Sequence, residues 1–284
     1  MSTEFTIPGA TGPGTQPTEP DGQALDYMEM PREMATFDLP IAPEPEDTEG
    51  MEAGKAKLNE LAAGLAAYKV GKPAFVLELG DLEPADLGLV NQILGEGEVS
   101  MVSGVNIQVQ EAVFAGVWRV LHFDAKGVIK RDTIEVAEWP DAVRDQVFAN
   151  AATTCALAED PLPPSVFNAP SLLSEIAERV ADYKPGDGAH SINLSLLPHT
   201  EEDLKYLADK LGVGSTIVLS RGYGNCRVSS TQTKNVWWVQ YYNAQDTVIL
   251  NSIEIINVPE VVCAAQEDID DSAERLAEIM EIYK

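Results

Sequence analysis

The sequence predicts an α+β protein of two tandem, pseudo-symmetric repeats behind a disordered N-terminal tail. Each repeat is expected to run helix, strand, helix, three strands, helix, around a mainly antiparallel sheet. Three observations lead there. Residues 58–72 (LNELAAGLAAYKVGK) match residues 173–187 (LSEIAERVADYKPGD) at 7 of 15 positions. Residues 117–140 match 236–259 at 7 of 24 positions without a gap. Apolar residues recur at helical spacing in the first block and within strand-like runs in the second. The boundaries that follow are 1–50 for the tail, 51–160 for the first repeat and 161–284 for the second.

The tail carries eight of the 18 prolines, eleven acids and one arginine, with no apolar period, a composition that cannot bury enough surface to order itself. Small apolar islands such as Phe5-Thr6-Ile7 and Phe37-Asp38-Leu39 interrupt it. A helix is expected over 51–68 and its counterpart over 171–183, because Leu58, Leu61, Leu65 and Tyr68 share one face. Strands follow at 74–79 and 191–196. The second helix of each repeat has a start signal: Pro84 just inside the first, and Thr200 with Asp203 three residues on in the second. Gly95 and Gly212 close these helices as C-caps. Strands at 98–103 and 215–220 come next, then the tryptophan strands 117–123 and 236–242. Short turns lead to last strands at 128–136 and 247–256, which should pair back antiparallel. Pro140 and Pro259 each open a further helix. The final helix takes Asp271 as N-cap with Glu274 three residues on.

The offset between copies grows from 115 to 117 to 119, so the second copy has gained two insertions. One falls at Leu197-Pro198-His199-Thr200. The other falls inside Arg221-Gly222-Tyr223-Gly224-Asn225-Cys226-Arg227. What both copies share serves the fold; what only the second has is where function is sought.

A net charge of −27 excludes ready binding to nucleic acid or an anionic membrane, since both need cations to displace counterions. A basic peptide or protein is the natural electrostatic partner. There is no apolar run long enough to span a bilayer and no basic-then-apolar leader, and the three cysteines lack a CxxC pair. The chain therefore reads as cytoplasmic and reduced. No Ser–His–acid spacing, HExxH or paired glycosidase carboxylates stand out, so the reading is a non-enzyme.

The candidate partner-binding residues are Arg221, Gly222, Tyr223, Gly224, Asn225, Cys226 and Arg227, with Trp238, Tyr242, Glu267 and Asp268. The two loop glycines permit positive φ and close backbone approach, and the arginines can hold a carboxylate or carbonyl. The loop is no dinucleotide fingerprint, because Arg227 stands at the third glycine and a strand follows. Trp238 is unique to the second copy and points away from Trp237; it is either an interface anchor or packed within the molecule. Glu267 and Asp268 are either solvated acids at a helix start or a patch for a basic partner. Cys226 beside Arg227 suggests a lowered thiol pKa, and Cys226 with Cys263 are the metal candidates. The plainer reading of Cys263 is a small buried apolar residue.

The stretch SRGYGNCRVSSTQTKNVWWVQYYN, followed by ILNSIEIINVPEVVCAAQEDIDDSAERL, resembles the C-terminal domain of the HupH/HyaF family of [NiFe]-hydrogenase expression/formation proteins. The segments IPGATGPGTQP and YMEMPREMATFDLP resemble that family's leader, so the likeness spans nearly the whole chain. The resemblance implies an accessory protein or chaperone in maturation of a [NiFe] uptake hydrogenase. Its partners would be the small-subunit precursor, with its twin-arginine signal, and other maturation proteins. It would hold no cofactor of its own beyond transient contact with an Fe–S cluster or metal. The alternative is a protein that handles metal or Fe–S clusters through Cys226 and Cys263; a weaker third is a redox enzyme with Cys226 as nucleophile.

Overall fold

A computed structural model describes residues 43–222 and 224–283. Residues 1–42, the greater part of the expected tail 1–50, lie outside the described residues, as do Tyr223 and Lys284, while residues 43–50 are ordered against the expectation. The description begins at Pro43, whose carbonyl accepts a hydrogen bond from the Tyr283 hydroxyl at 2.8 Å. A 3-10 turn at Pro45–Thr48 follows, with Thr48 buried.

The first half comprises α1 (Glu52–Ala67), β1 (Phe75–Glu78), α2 (Pro84–Leu94), β2 (Val99–Ser103), β3 (Ile107–Glu111), β4 (Val117–Phe123), β5 (Ile129–Val136) and the single-turn α3 (Asp141–Arg144). The second half comprises α4 (Ala169–Asp182), β6 (His190–Asn193), a 3-10 turn at Leu194–Leu196, α5 (Glu201–Leu211), β7 (Thr216–Ser220), β8 (Asn225–Ser230), β9 (Val236–Tyr242), β10 (Val248–Ile255), a 3-10 turn at Glu260–Val262 and α6 (Gln266–Ile282). The fold is α+β, as predicted. Four strands follow the second helix of each half, not three. The sequence reading passed over β3 and ran the end of β8, read as strand from Val228, into the tryptophan strand; the five residues of β3 and six of β8 are largely polar.

All ten strands form one sheet in the order β1-β5-β4-β3-β2-β7-β8-β9-β10-β6, with antiparallel pairing between neighbours. The order is a palindrome in the two halves. They meet at β2 and β7, where Met101 pairs with Val218, and these are equivalent positions at an offset of 117. Val99 pairs with Ser220 and Ser103 with Thr216, so a local two-fold passes through the central pair. Equivalent bonds recur on each side. Trp118 Nε1 donates to Ala137 O and Trp237 Nε1 to Ile256 O. The Tyr68 hydroxyl accepts from Glu138 N and the Tyr183 hydroxyl from Asn257 N.

The closing segments cross between halves. Trp139 and Phe148, after β5, pack edge-on against Trp237 of the second half at centroid distances of 6.3 and 5.1 Å. In return α6 lies along α1 of the first half: Ser272 Oγ accepts from Ala115 N, and Ile269 packs against Gly116 so closely that a Cβ there would clash. One buried cluster accordingly includes Leu58, Trp118 and Trp139 together with Trp237, Val239 and Leu276.

The predicted caps divide into confirmed and corrected. Thr200 and Asp203 form the reciprocal capping box of α5. Asp203 Oδ1 also accepts from the backbone of Phe167, Asn168 and Ala169, tying the α4 start to α5. Burial works against its charge, but these N–H donors hold its carboxyl at about 2. Gly95 and Gly212 take φ of 55° and 67°, though with extended ψ rather than the left-handed helical ψ expected. Asp271 is not an N-cap: α6 begins five residues earlier, after Ala265. Acid–x–x–acid spacing also occurs inside a helix, and here it lies on the exposed face of α6. Pro140 and Pro259 start only one turn each.

Candidate functional site

The second-copy insertion 221–225 joins β7 to β8, closed by the pair Ser220–Cys226. Its base rests on the first half. Arg221 N donates to Glu98 O at 3.1 Å, and the Glu98 carboxylate lies so close to the Gly222 backbone that a side chain there would displace it. A side chain at position 222 would move only the flexible Glu98 carboxylate, whereas Gly224 is favoured by its φ of 97°. Asn225 opens β8 opposite Tyr242.

Alternation along β8 separates the next two candidates. Arg227 pairs with Leu219 and Gln240 on one face, while Cys226 pairs with Ser220 and Tyr241 on the other. The expected lowering of the Cys226 thiol is therefore overturned. Cys226 is 3% exposed, and burial pushes its thiol up to about 11, against the pull of a bond with Tyr241 and with the Glu254 carboxylate adding to the rise. Burial likewise lifts the Tyr241 phenol to about 12. Native Cys226 is expected to alkylate at pH 8 on the order of a hundred-fold more slowly than an exposed cysteine, since its thiolate fraction is about 1 in 1,000. Mass spectrometry after timed iodoacetamide treatment of the folded and urea-unfolded chain checks this; equal rates would contradict the burial argument.

Cys263 follows the 3-10 turn and donates to Pro259 O, and burial with nearby Glu138 takes its thiol to about 12. Among the described residues no group of three or more His, Cys, Asp or Glu is placed to hold a metal ion. Cys226 is buried and Cys263 partly buried, and neither belongs to such a group.

Trp238 is not an exposed anchor. It is 8% exposed, its Nε1 donates to Asn251 Oδ1 at 2.5 Å, and it shares its sheet face with the buried Val236, Ile253 and Ile192. A strand position that faces away from one core faces a second one when helices cover both sides of a sheet. The helices α4 and α5 bury Leu172, Leu173, Leu207 and Leu211 in this half. Tyr242 is half-buried, and its hydroxyl donates to Gln240.

Glu267 and Asp268 are exposed in the first turn of α6. Asp268 lies within electrostatic reach of Glu111, a residue the sequence reading missed. Glu111, at the end of β3, is pushed up to about 7 by burial, with the charges of Glu98 and Asp268 adding to the rise. Glu98, which touches Gly222, and Asp268 thus flank Glu111 at one end of the sheet. The β7–β8 loop and the α6 start converge on an acidic edge, while Cys226, Tyr241 and Glu254 lie on the opposite strand face from Arg227 and Trp238. Glu98 and Glu111 left no signal in sequence, because neither lies in a second-copy insertion. No helix among the described residues is long and apolar enough to cross a membrane.

Comparison with known proteins gives the family. The model of the HupH hydrogenase expression protein C-terminal conserved region matches twice, over residues 51–157 and 166–283. The chain is 44% identical over 285 residues to the hydrogenase expression/formation protein HupQ of Azotobacter chroococcum mcd 1, covering 99% of each. It is 31% identical over 274 residues to the hydrogenase-1 operon protein HyaF of Escherichia coli (strain K12), covering 94% of this chain and 93% of that one. Among solved structures it is similar to the hydrogenase expression protein HupH from Thiobacillus denitrificans ATCC 25259, at 35% identity and a TM-score of 0.38, over 40% of this chain and 95% of that one. With the family model covering both halves and relatives matching end to end, the chain belongs to the HupH family of hydrogenase expression/formation proteins.

Proposed function

We propose that this chain is a non-catalytic accessory protein of [NiFe]-hydrogenase maturation, which binds the hydrogenase small-subunit precursor before export and shelters it while its Fe–S clusters are assembled. The observation that carries the reading is the end-to-end likeness, 44% identity over 99% of the chain, to a protein named for hydrogenase expression and formation. The acidic edge formed by Glu98, Glu111 and Asp268 beside the β7–β8 loop supports a basic partner.

Co-purification tests it. The full chain, expressed with the signal-bearing precursor under anaerobic, low-salt conditions, is expected to retain that precursor. Reversal of Glu267 and Asp268 to lysine is expected to cut the retained fraction several-fold and steepen its loss with salt. Cys226→Ser is expected to retain it as well as the parent chain. Failure of the unaltered chain to retain any precursor would overturn the proposal. Trp238→Ala is not a suitable probe of the interface, because it removes a buried side chain.

A further inference from the structure

The two halves supply an internal comparison at the corner where each first helix begins. The backbone there is bonded alike in both. Met51 N donates to Thr48 O, and Val166 N to Pro163 O. Leu82 N donates to Leu79 O, and Leu197 N to Leu194 O. Asp86 Oδ1 accepts from Gly54 N, and Asp203 Oδ1 from Ala169 N. At the offset of 115, Asp47, Glu52 and Asp81 therefore correspond to Leu162, Phe167 and Leu196.

The side chains at these positions are opposite in character. The three acids of the first half are exposed, and Asp81 pairs with Lys57 of α1. In the second half Leu172 stands where Lys57 does, and it is buried. Phe167 is 69% exposed, Leu196 80% and Leu162 37%. Leu197 is 40% exposed, whereas its counterpart Leu82 packs on the core. Pro198 and His199, which the second copy has gained, follow at once.

Hydrogen bonds hold the two segments side by side. Asn168 Nδ2 donates to Pro198 O at 2.8 Å, and Thr200 Oγ1 to Ser165 O at 2.7 Å. The N–H groups of Phe167, Asn168 and Ala169 all donate to Asp203 Oδ1. Phe167 is thus presented from a fixed backbone, which lowers the ordering cost of binding. Exposed leucines standing singly are ordinary. A phenylalanine beside a Leu-Leu pair, at a corner that the other half fills with charge, is an exposed patch that calls for a partner.

We propose that the surface made by Leu162, Phe167, Leu196 and Leu197 is a docking patch for a short apolar segment of another polypeptide, bordered by arginine or lysine. Phe167 is its anchor, since aromatic side chains are enriched at the centres of interfaces. Charge selects the occupant. Asp160 precedes the patch and Glu201 and Glu202 follow it in the first turn of α5, all exposed, with Lys205 one turn further on. Acids at both borders, on a chain of net charge −27, favour an apolar run with cations beside it. A second copy of this chain would bring the same acids to the same borders and be repelled. The proposal rests on the reading that the protein holds a polypeptide partner, and it assigns the surface and the chemistry of the segment held.

The probes are fluorescein-labelled peptides with an apolar run bordered by two arginines. A second version carries glutamates in place of the arginines, and a third carries serines in place of the apolar run. Binding to the full chain is read by anisotropy. The arginine peptide is expected to bind about ten-fold more tightly than either of the others. Phe167→Glu with Leu196→Asp gives the second half what the first already has. This pair is expected to weaken binding about ten-fold, with thermal melts confirming the fold. Glu201→Lys with Glu202→Lys is expected to weaken it several-fold and flatten its salt dependence. Val105→Asp, at a still more exposed aliphatic in the β2–β3 turn, is expected to change nothing. No binding, or binding indifferent to Phe167 and Leu196, would overturn the patch. So would a dimer in sedimentation velocity that the Phe167 and Leu196 pair abolishes, because the surface would then join copies of this chain. Precursor co-purification separates the two ideas. Equal retention by the parent chain and by the Phe167 and Leu196 pair removes the patch and keeps the maturation role. Peptide binding that needs Phe167 and Leu196, without precursor retention, does the reverse.

Discussion

Trp237→Ala is expected to cost about 3–5 kcal/mol, the range for truncating a fully buried aromatic. Trp237 is wholly buried on β9 of the second half, yet its ring partners, Trp139 and Phe148, come from the first. The variant should therefore lower the unfolding midpoint of the whole chain and not of one half. Denaturant titration followed by tryptophan fluorescence and far-UV circular dichroism checks this, and the two probes are expected to coincide for parent and variant. Separate transitions would show that the halves unfold independently, contrary to the single sheet and the crossed closing segments.

The second large effect is a pH dependence. Glu111 has a carboxyl pushed up to about 7 by burial, then by Glu98 and Asp268, from an ordinary 4.5. Because the folded value lies above the unfolded one, the folded state binds the proton more tightly. The stability tied to that proton is complete below about 4.5 and is lost as pH rises through about 7. Glu111→Gln, which keeps the shape and removes the charge, is thus expected to leave stability nearly unchanged at pH 4.5 and to raise it by about 3 kcal/mol at pH 8. Urea titrations at the two pH values measure the difference. A gain of equal size at both would mean that charge at Glu111 is not the cause.

Much of the fold was legible because its signals are local. The apolar stripe Leu58, Leu61 and Leu65 marks α1, and all three are buried. Thr200 with Asp203 announces the start of α5, and both glycine ends stand where they were expected. β3 was not legible, because Ile107-Gln-Val-Gln-Glu111 alternates over too few residues to stand out from a loop, and β8 was read only as a run-on of the tryptophan strand. The α6 start was misplaced because acid spacing at i and i+3 serves a cap and a helix interior equally.

The candidate site was legible in part. The second insertion does form an exposed connection with a glycine in close contact and another at positive φ. The thiol prediction failed because proximity in sequence is not proximity in space on a strand: Arg227 follows Cys226 and so faces the other way. Trp238 was read as either an interface anchor or packed within the molecule, and it is packed, 8% exposed with its Nε1 donating to Asn251 Oδ1. Glu98 and Glu111 matter through neighbours more than ten residues away, which no local pattern reports.

The sequence by itself determined the α+β class, most of the element order, the acidic character and, by resemblance, the family. These depend on periodicity, composition and identity, all readable along one dimension. Only the tertiary structure decided that the halves share one ten-stranded sheet, that their closing segments cross, and which side chains are buried. Those outcomes turn on pairing between β2 and β7 and on burial by distant residues, and the free energy of a buried charge or thiol is set by what surrounds it in space.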